Sequence, residues 1–447
     1  MTSPGRVHIV GAGLAGLAAA VRLTAEGRDI ALYESSQHAG GRCRSYLDAE
    51  LGCRIDNGNH LLLAGNTAAL AYVERIGALD TFERPAEAEI PFIDVASGER
   101  WALRPNQSAV PWWLLSPARR VPGTRPRDYL EALKLRRATA QATVTEVLDP
   151  ASRLFHRLWQ PLAVAALNTA AEEGSARLFG RILAETLGRG GAACRALLPR
   201  QGLSESLIDP ALALLGRCGG DIRFGVRLRG LTFANGRVAE LAFDGGAATL
   251  GAADSVILAV PAGAAARLVP GLIVPDDHAP IVNAHFRWAA PDDSPAFAGI
   301  IGGTAEWVFR KREVVSVTIS AADHLVDLPA EELRELLWRD VALAYDVSRE
   351  PPPPARIVKE RRATFRATPA QLERRPASAT RWNNLHLSGD YVDTDLPATI
   401  EGAIRSGFAA ADRVLRHPGP APAMTSPAAM PTRRTPETAE DRQRALP

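Results

Sequence analysis

Glycines at 11, 13 and 16, set directly behind the apolar run Val7–Val10, are spaced to hold phosphate. At that spacing Gly11 makes a tight turn, Gly13 lets a phosphate approach the backbone, and Gly16 lets the following helix pack closely on the strand. The backbone around Ala12, Leu14 and Ala15 lies at the start of that helix. There free N–H groups and the positive end of the dipole favour an anion. Glu34 follows at about the 20-residue spacing of a ribose-binding carboxylate. It would accept hydrogen bonds from 2′- and 3′-hydroxyls and repel a 2′-phosphate, which argues against NADP. Gly40-Gly41-Arg42 forms a second phosphate cradle, its guanidinium able to fork onto pyrophosphate oxygens. An NAD site built on the first motif has no need of this one.

These residues need elements to position them. The run Val7–Val10 suits a strand buried on both faces, and 14–23 is rich in Ala and Leu, as a helix should be. Gly27 falls where a helix-ending glycine belongs, and 29–33 reads as a second strand that delivers Glu34. A helix over 67–76 has Leu70, Val73 and Ile76 on one face and is closed by Gly77. Helices are also read at 128–140, 145–166 and 175–187, the last capped by Gly188. Asn168 follows an apolar stretch, either as a helix-end cap or as a group that meets a substrate oxygen. Asn235-Gly236 predicts a hairpin between strands 231–233 and 238–243, and 254–260 a buried parallel strand. Further strands are read at 282–288, 307–309 and 314–320, with a helix over Ala330–Tyr345. A late strand ends at Gly389-Asp390, and Pro397 is placed to start the last helix.

Composition narrows the classes. At 447 residues the chain suggests two or three domains, and 46% hydrophobic and 23% charged residues are those of a soluble globular protein. A net charge of +2 lends no support to a nucleic-acid partner. Cys43, Cys53, Cys194 and Cys218 show no CxxC pair, no metal-ligand set is expected, and a reduced cytoplasmic setting fits. The N-terminus enters the first strand almost directly, leaving no room for a signal peptide. Trp112 and Trp113, beside Leu114, Leu115 and arginines, read as a peripheral membrane contact or equally as a lid or core. Residues 417–447, rich in Pro, Ala and Thr, read as a disordered tail.

Gly-Gly-Arg-x-x-Ser just behind the ribose carboxylate resembles the flavin amine oxidase and phytoene desaturase superfamily. The late Gly389-Asp390 and the segment from Asp56 through Gly58 to His60 are similar to it too. The resemblance implies FAD and an α/β fold: a Rossmann-like, GR2-type FAD-binding domain with an interleaved α+β substrate domain. Its FAD-binding parts would be 1–78, 216–275 and 371–416, and its substrate-domain parts 79–215 (mostly helical) and 276–370. It also implies that Gly58 runs under the isoalloxazine ring, with His60 either at the ring edge or a structural histidine. A backbone group near Leu228 would pair with adenine, Asp390 would bind the ribityl or pyrophosphate region, and the helix start at Thr399 and Ile400 would face flavin N1 and O2.

Within that superfamily four stretches, around Asp56, Trp159, Lys359 and Gly389, resemble the hydroxysqualene dehydroxylases of bacterial hopanoid pathways. Asn59 departs from the Gln of that pattern. This implies reductive removal of an allylic hydroxyl from a long-chain isoprenoid, hydride passing from reduced flavin N5 to an allylic cation, with a separate electron donor and peripheral contact with the inner face of the cell membrane. His60 and Asn168 are the choices for acid and hydroxyl-orienting group, with Glu360 and Arg361 as alternatives. Rival readings are a carotenoid or phytoene-type desaturase, a flavin amine oxidase, and a lipid-binding flavoprotein without turnover.

Overall fold

Short runs of Val, Ile, Leu and Ala offer no polar face to water and are driven to the middle of a parallel sheet. In the computed structural model, which describes residues 5–416, five such strands form one sheet. They are β1 (Val7–Val10), β2 (Ile30–Tyr33), β3 (Asp221–Arg223), β4 (Ser255–Leu258) and β5 (Leu385–Leu387), in the order β3-β2-β1-β4-β5. Every pairing is parallel. Helix α1 (Leu14–Thr24) returns the chain from β1 to β2, close to the expected 14–23. It crosses α2 (Ile400–Arg416) at Gly407, where a Cβ would fall 2.2 Å from the Ala15 carbonyl oxygen, so only glycine permits the approach. This is the expected Rossmann-like unit. The tail reading at 417–447 lies outside the described residues.

A seven-stranded mixed sheet makes the second layer system. Its order is Ala355–Phe365, His278–Arg287, Val314–Ile319, Trp307–Lys311, Phe297–Ile301, Ile90–Asp94, Arg100–Leu103. Alternation splits it into two faces. Val282, Ala284, Phe286 and Val317 cluster with Leu333, Leu337 and Trp338 of the helix Ala330–Tyr345, which forms where expected. The opposite face carries Asn283, Thr318, Trp307, Phe309, Phe297 and Phe92, as the registers require.

Several sequence expectations change here. The stretch 79–215 is not simply helical, because Ile90–Asp94 and Arg100–Leu103 join the second sheet. The helix expected over 128–140 is a 3₁₀ run, Pro126–Arg137, whose buried residues are Tyr129 and Leu135. A spacing of six aligns them at three residues per turn. The helix expected over 145–166 breaks. Val144–Val147 ends before Pro150, and Phe155–Trp159 is π-helical before Gln160–Leu167, the turn widening ahead of Pro161, which has no N–H. The helix expected over 175–187 runs over Ala176–Glu185 with Ser175 as its N-cap, and Gly188 lies within a further 3₁₀ turn rather than closing it. Pro397 sits ahead of the last helix, which begins at Ile400. The strand Ala355–Phe365 carries four charges in a row, which an edge position tolerates. The Asn235-Gly236 hairpin forms as expected, both residues having positive φ.

Candidate functional site

The first glycine loop has the geometry its spacing calls for. Gly11 sits at φ +105°, and a Cβ on Gly16 would lie 1.9 Å from the Gly11 carbonyl oxygen. A Cβ on Gly13 would meet nothing within 4 Å, so that backbone is open to a ligand. No side chain caps α1 and no carboxylate stands in its first turn, which leaves the N–H groups at Leu14 and Ala15 to an anion. Glu34 leaves the end of β2 beside this loop. Its carboxylate accepts from the Ala12 N–H at 2.8 Å and the Ser36 N–H at 2.9 Å. Ser35 Oγ donates at 3.2 Å to the oxygen bonded by Ser36, so the oxygen facing Ala12 is the one that keeps a lone pair for a further donor. The strand opened by Leu228 is held near by, since the Val226 N–H donates to the Glu34 carbonyl at 2.9 Å.

The second cradle packs directly on the first. Gly13 and Gly40 form an isolated parallel bridge, the Gly40 N–H donates to the Ala12 carbonyl at 2.8 Å, and Gly41 takes φ +58°. Arg42 then reaches the far end of the chain. Its guanidinium donates to Asp390 at 2.8 Å and to the Ala363 carbonyl, and Asp390 is the main cause of its raised pKa. Gly389, at φ +150°, donates its N–H to Ser406 Oγ at 2.8 Å. Thr399 caps the last helix, its Oγ accepting from the Gly402 N–H at 3.0 Å. Three pieces of sequence, each singled out for phosphate or flavin chemistry, therefore meet around one open stretch of backbone. Such a cradle of free N–H groups, arginine and carboxylate fits a dinucleotide.

Beyond the cradle lie Gly58 and His60. Asp56, buried just ahead of them, accepts from Ser45 Oγ at 2.6 Å and from the Leu203 N–H at 2.9 Å, and pairs with Lys311. Burial alone would raise its pKa, but these partners hold it below the ordinary value. His60 is half-buried, and desolvation pushes its pKa down to about 4, so the ring is neutral at pH 7. A Cβ on Gly58 would lie 3.4 Å from Asn283 Nδ2 and 3.8 Å from His60 Nε2, which brings three groups around one point.

Of the other expected residues, Asn168 is 4% exposed at the left-handed end of Gln160–Leu167. Its amide nitrogen donates to the Ala279 carbonyl at 3.1 Å and Thr364 Oγ at 2.9 Å, while its oxygen accepts from the Ala321 N–H at 2.7 Å. Both N–H bonds are used. This is the cap of its two readings, with no donor left for a substrate hydroxyl. Arg361 pairs with Asp327 on the outside of the edge strand. Trp113 is 6% exposed and meets Tyr129 edge-on at 5.4 Å, so it is core, while Trp112 is 64% exposed. Among the described residues, no cluster of three or more His, Cys, Asp or Glu could hold a metal.

Sequence reasoning missed three features. Asn283 is 1% exposed, and its amide oxygen accepts from Thr318 Oγ at 2.8 Å, which in turn accepts from Asn59 Nδ2 at 3.0 Å. Alternation of Asn283 and His285 with Val282, Ala284 and Phe286 was the available signal. Buried Arg375 binds the carbonyls of Val392 at 2.6 Å and Leu396 at 2.7 Å, fixing the loop behind Asp390. An aromatic wall runs on from Thr318 through its register partner Trp307: Phe297 and Phe92 lie 6.4 Å and 5.8 Å from Trp307, and Trp101 lies 5.6 Å from Phe92.

Known proteins align with this geometry. Residues 14–415 match the family model for flavin containing amine oxidoreductases. A hydroxysqualene dehydroxylase of Rhodopseudomonas palustris is 48% identical over 410 residues, 92% of this chain and 98% of its own. Another, of Sinorhizobium fredii, is 45% identical over 412 residues, 92% and 99% of the two chains. A solved putrescine oxidase double mutant is similar with TM-score 0.68 at 19% identity, covering 92% of this chain and 99% of its own. At that identity the likeness speaks for the fold.

Two outcomes are expected. Glu34→Ala weakens FAD binding by roughly tenfold or more; an unchanged flavin-to-protein absorbance ratio after gel filtration refutes the placement of the ribose. His60 and His285 are both pushed by desolvation from an ordinary 6.5 down to about 4. At those pH values the unfolded chain binds more protons at these rings than the folded one. Stability therefore rises with pH through that window and is lost as the pH falls from 6.5 towards 4. His285→Gln, which keeps a polar partner for Ser316, is expected to flatten the fall of Tm between pH 6.5 and 4, and an unaltered slope in thermal melts counts against it.

Proposed function

The chain belongs to the flavin-containing amine oxidoreductase family, uses FAD, and has hydroxysqualene dehydroxylases as relatives over nine-tenths of its length; on that premise we propose that it removes the hydroxyl of hydroxysqualene reductively to give squalene. The observation that carries this reading is 48% identity over almost the whole of both chains. When bound and reduced, FAD supplies the hydride.

The Gly11–Gly16 loop, Glu34, Gly40-Gly41-Arg42 and the Asp390 loop would hold that cofactor, with Gly58 leaving room beside it. The remaining tasks fall to the chain itself. Hydroxide is a poor leaving group, so the departing oxygen must gain a proton as the C–O bond breaks. His60 is the titratable ring beside Gly58. A pKa near 4 makes its imidazolium a strong acid but a sparse one, so the proton passes through the ring rather than resting on it. The allylic cation left behind is stabilised by π-faces, which Trp307, Phe309 and Phe297 offer. These rings are 6–8% exposed, and their bulk keeps out the water that would recapture the cation.

The substrate is a hydrocarbon drawn from lipid, and the surface fits a peripheral contact. Among the described residues no helix is long and apolar enough to cross a membrane. Trp112 and Leu115 are 64% and 66% exposed, and Leu130 and Leu133 are 59% and 55% exposed. The Trp113–Tyr129 contact holds the two segments side by side, and Lys134, Arg136 and Arg137 lie exposed at the end of the second. Apolar side chains rimmed by cations suit an anionic lipid surface.

Anaerobically reduced enzyme mixed with hydroxysqualene is expected to yield squalene as the flavin reoxidises. Reoxidation without squalene, or no reoxidation at all, overturns the assignment. The double variant Trp112→Ser, Leu115→Ser is expected to float with anionic liposomes several-fold less than the unaltered chain; equal flotation removes the membrane contact.

A further inference from the structure

We propose that the side-chain amide N–H group of Asn283 receives the substrate's hydroxyl oxygen, with Thr318 and Asn59 as the positioning residues that aim it. The inference rests on the reading above, in which the substrate is a long hydrocarbon bearing a single oxygen.

Asn283 is 1% exposed on the strand next to the edge of the second sheet, where a buried amide left without partners is costly. Thr318 Oγ accepts from Asn59 Nδ2, so its own proton goes to Asn283 Oδ1 at 2.8 Å. In this arrangement the amide oxygen accepts from Thr318, which leaves both N–H bonds of Asn283 for another partner. Among the described residues nothing accepts from Asn283 Nδ2. The nitrogen lies 3.4 Å from the place a Cβ would take on Gly58, nearer than Asn283 Oδ1 and His60 Nε2, which both lie 3.8 Å from it. The missing side chain of Gly58 thus leaves a small space bordered by the whole Asn283 amide, its nitrogen foremost, and by one neutral imidazole.

What adjoins this space sets the class of ligand. Trp307 is paired with Thr318 on the same sheet face, and Phe297, Phe92 and Trp101 continue the wall away from it. Gly299 makes room for the Phe92 ring there, since a Cβ would fall 2.6 Å from it. The indole N–H groups of Trp307 and Trp101 also lie in the wall without partners, but the Asn283 amide is the donor beside Gly58 and His60, and a donor there at the end of an aromatic wall matches an alcohol with a long apolar chain. A plain hydrocarbon would leave the amide unbonded. Preference for hydroxysqualene over squalene therefore comes from Asn283, and it favours release of the deoxygenated product.

The test uses the FAD-loaded, oxidised enzyme, which binds both compounds without turnover. Hydroxysqualene and squalene, each in detergent micelles, are titrated against the flavin absorbance spectrum. The unaltered chain is expected to prefer the alcohol by roughly tenfold or more. Asn283→Ala is expected to bring the two affinities within about twofold, and Thr318→Val, which frees the amide to turn, to give an intermediate ratio. Flavin content stays at the unaltered level in both. Full alcohol preference in both variants overturns the inference, as does loss of flavin from Asn283→Ala with the preference intact, which would mean that the amide serves a cofactor oxygen. The anaerobic assay separates the two readings: if the unaltered enzyme makes squalene and the variants keep the preference, this inference alone fails; if it makes none, the proposed reaction fails.

Discussion

The meeting of Arg42 with Asp390, 348 residues apart in sequence and 2.8 Å apart in space, is the contact on which the site depends. One partner leaves the loop laid against Gly13 and the other leaves the last strand of the parallel sheet. Their ion pair is half open to water, so its energetic worth is modest. Its importance is geometric. It closes the cradle from the side opposite β1, and it does so only when β5 stands beside β4 and Arg375 has gathered the carbonyls of the following loop.

From that frame the second sheet gains its meaning. A face carrying Asn283 and Thr318 at one place and tryptophan and phenylalanine elsewhere would be poorly suited to a general core. Set against Gly58 and His60, it becomes a surface with two polar pairs, Asn283 with Thr318 and His285 with Ser316, beside an aromatic field. The helix Ala330–Tyr345 covers the other face, where aliphatic side chains pack with an aromatic group of Phe286, Trp288, Trp338 and Tyr345.

Much of the first domain was legible from residues 7 to 58, because continuous apolar runs, glycine spacing and a strand-ending carboxylate each have one physical solution. The Gly13–Gly40 and Arg42–Asp390 contacts confirm that the motifs converge. The second domain was harder to read for reasons that differ from place to place. Tyr129 and Leu135 look helical until the period is taken as three rather than 3.6. The edge strand at Ala355–Phe365 hides behind its charges. Adjacent tryptophans at 112 and 113 read as a pair, although one is core and the other surface. Asn168 and Asn283 are both buried amides near the same sheet, and sequence drew attention to the one whose donors are fully used. Which amide keeps a free N–H is a property of neighbours supplied by strands far away in the chain.

The order of the parallel sheet also bears on biosynthesis. β4 leaves the ribosome well before its partner, because Val256 must wait for Leu385. During that interval the nascent polypeptide exposes an apolar strand with one side unpaired, a template for association with other chains.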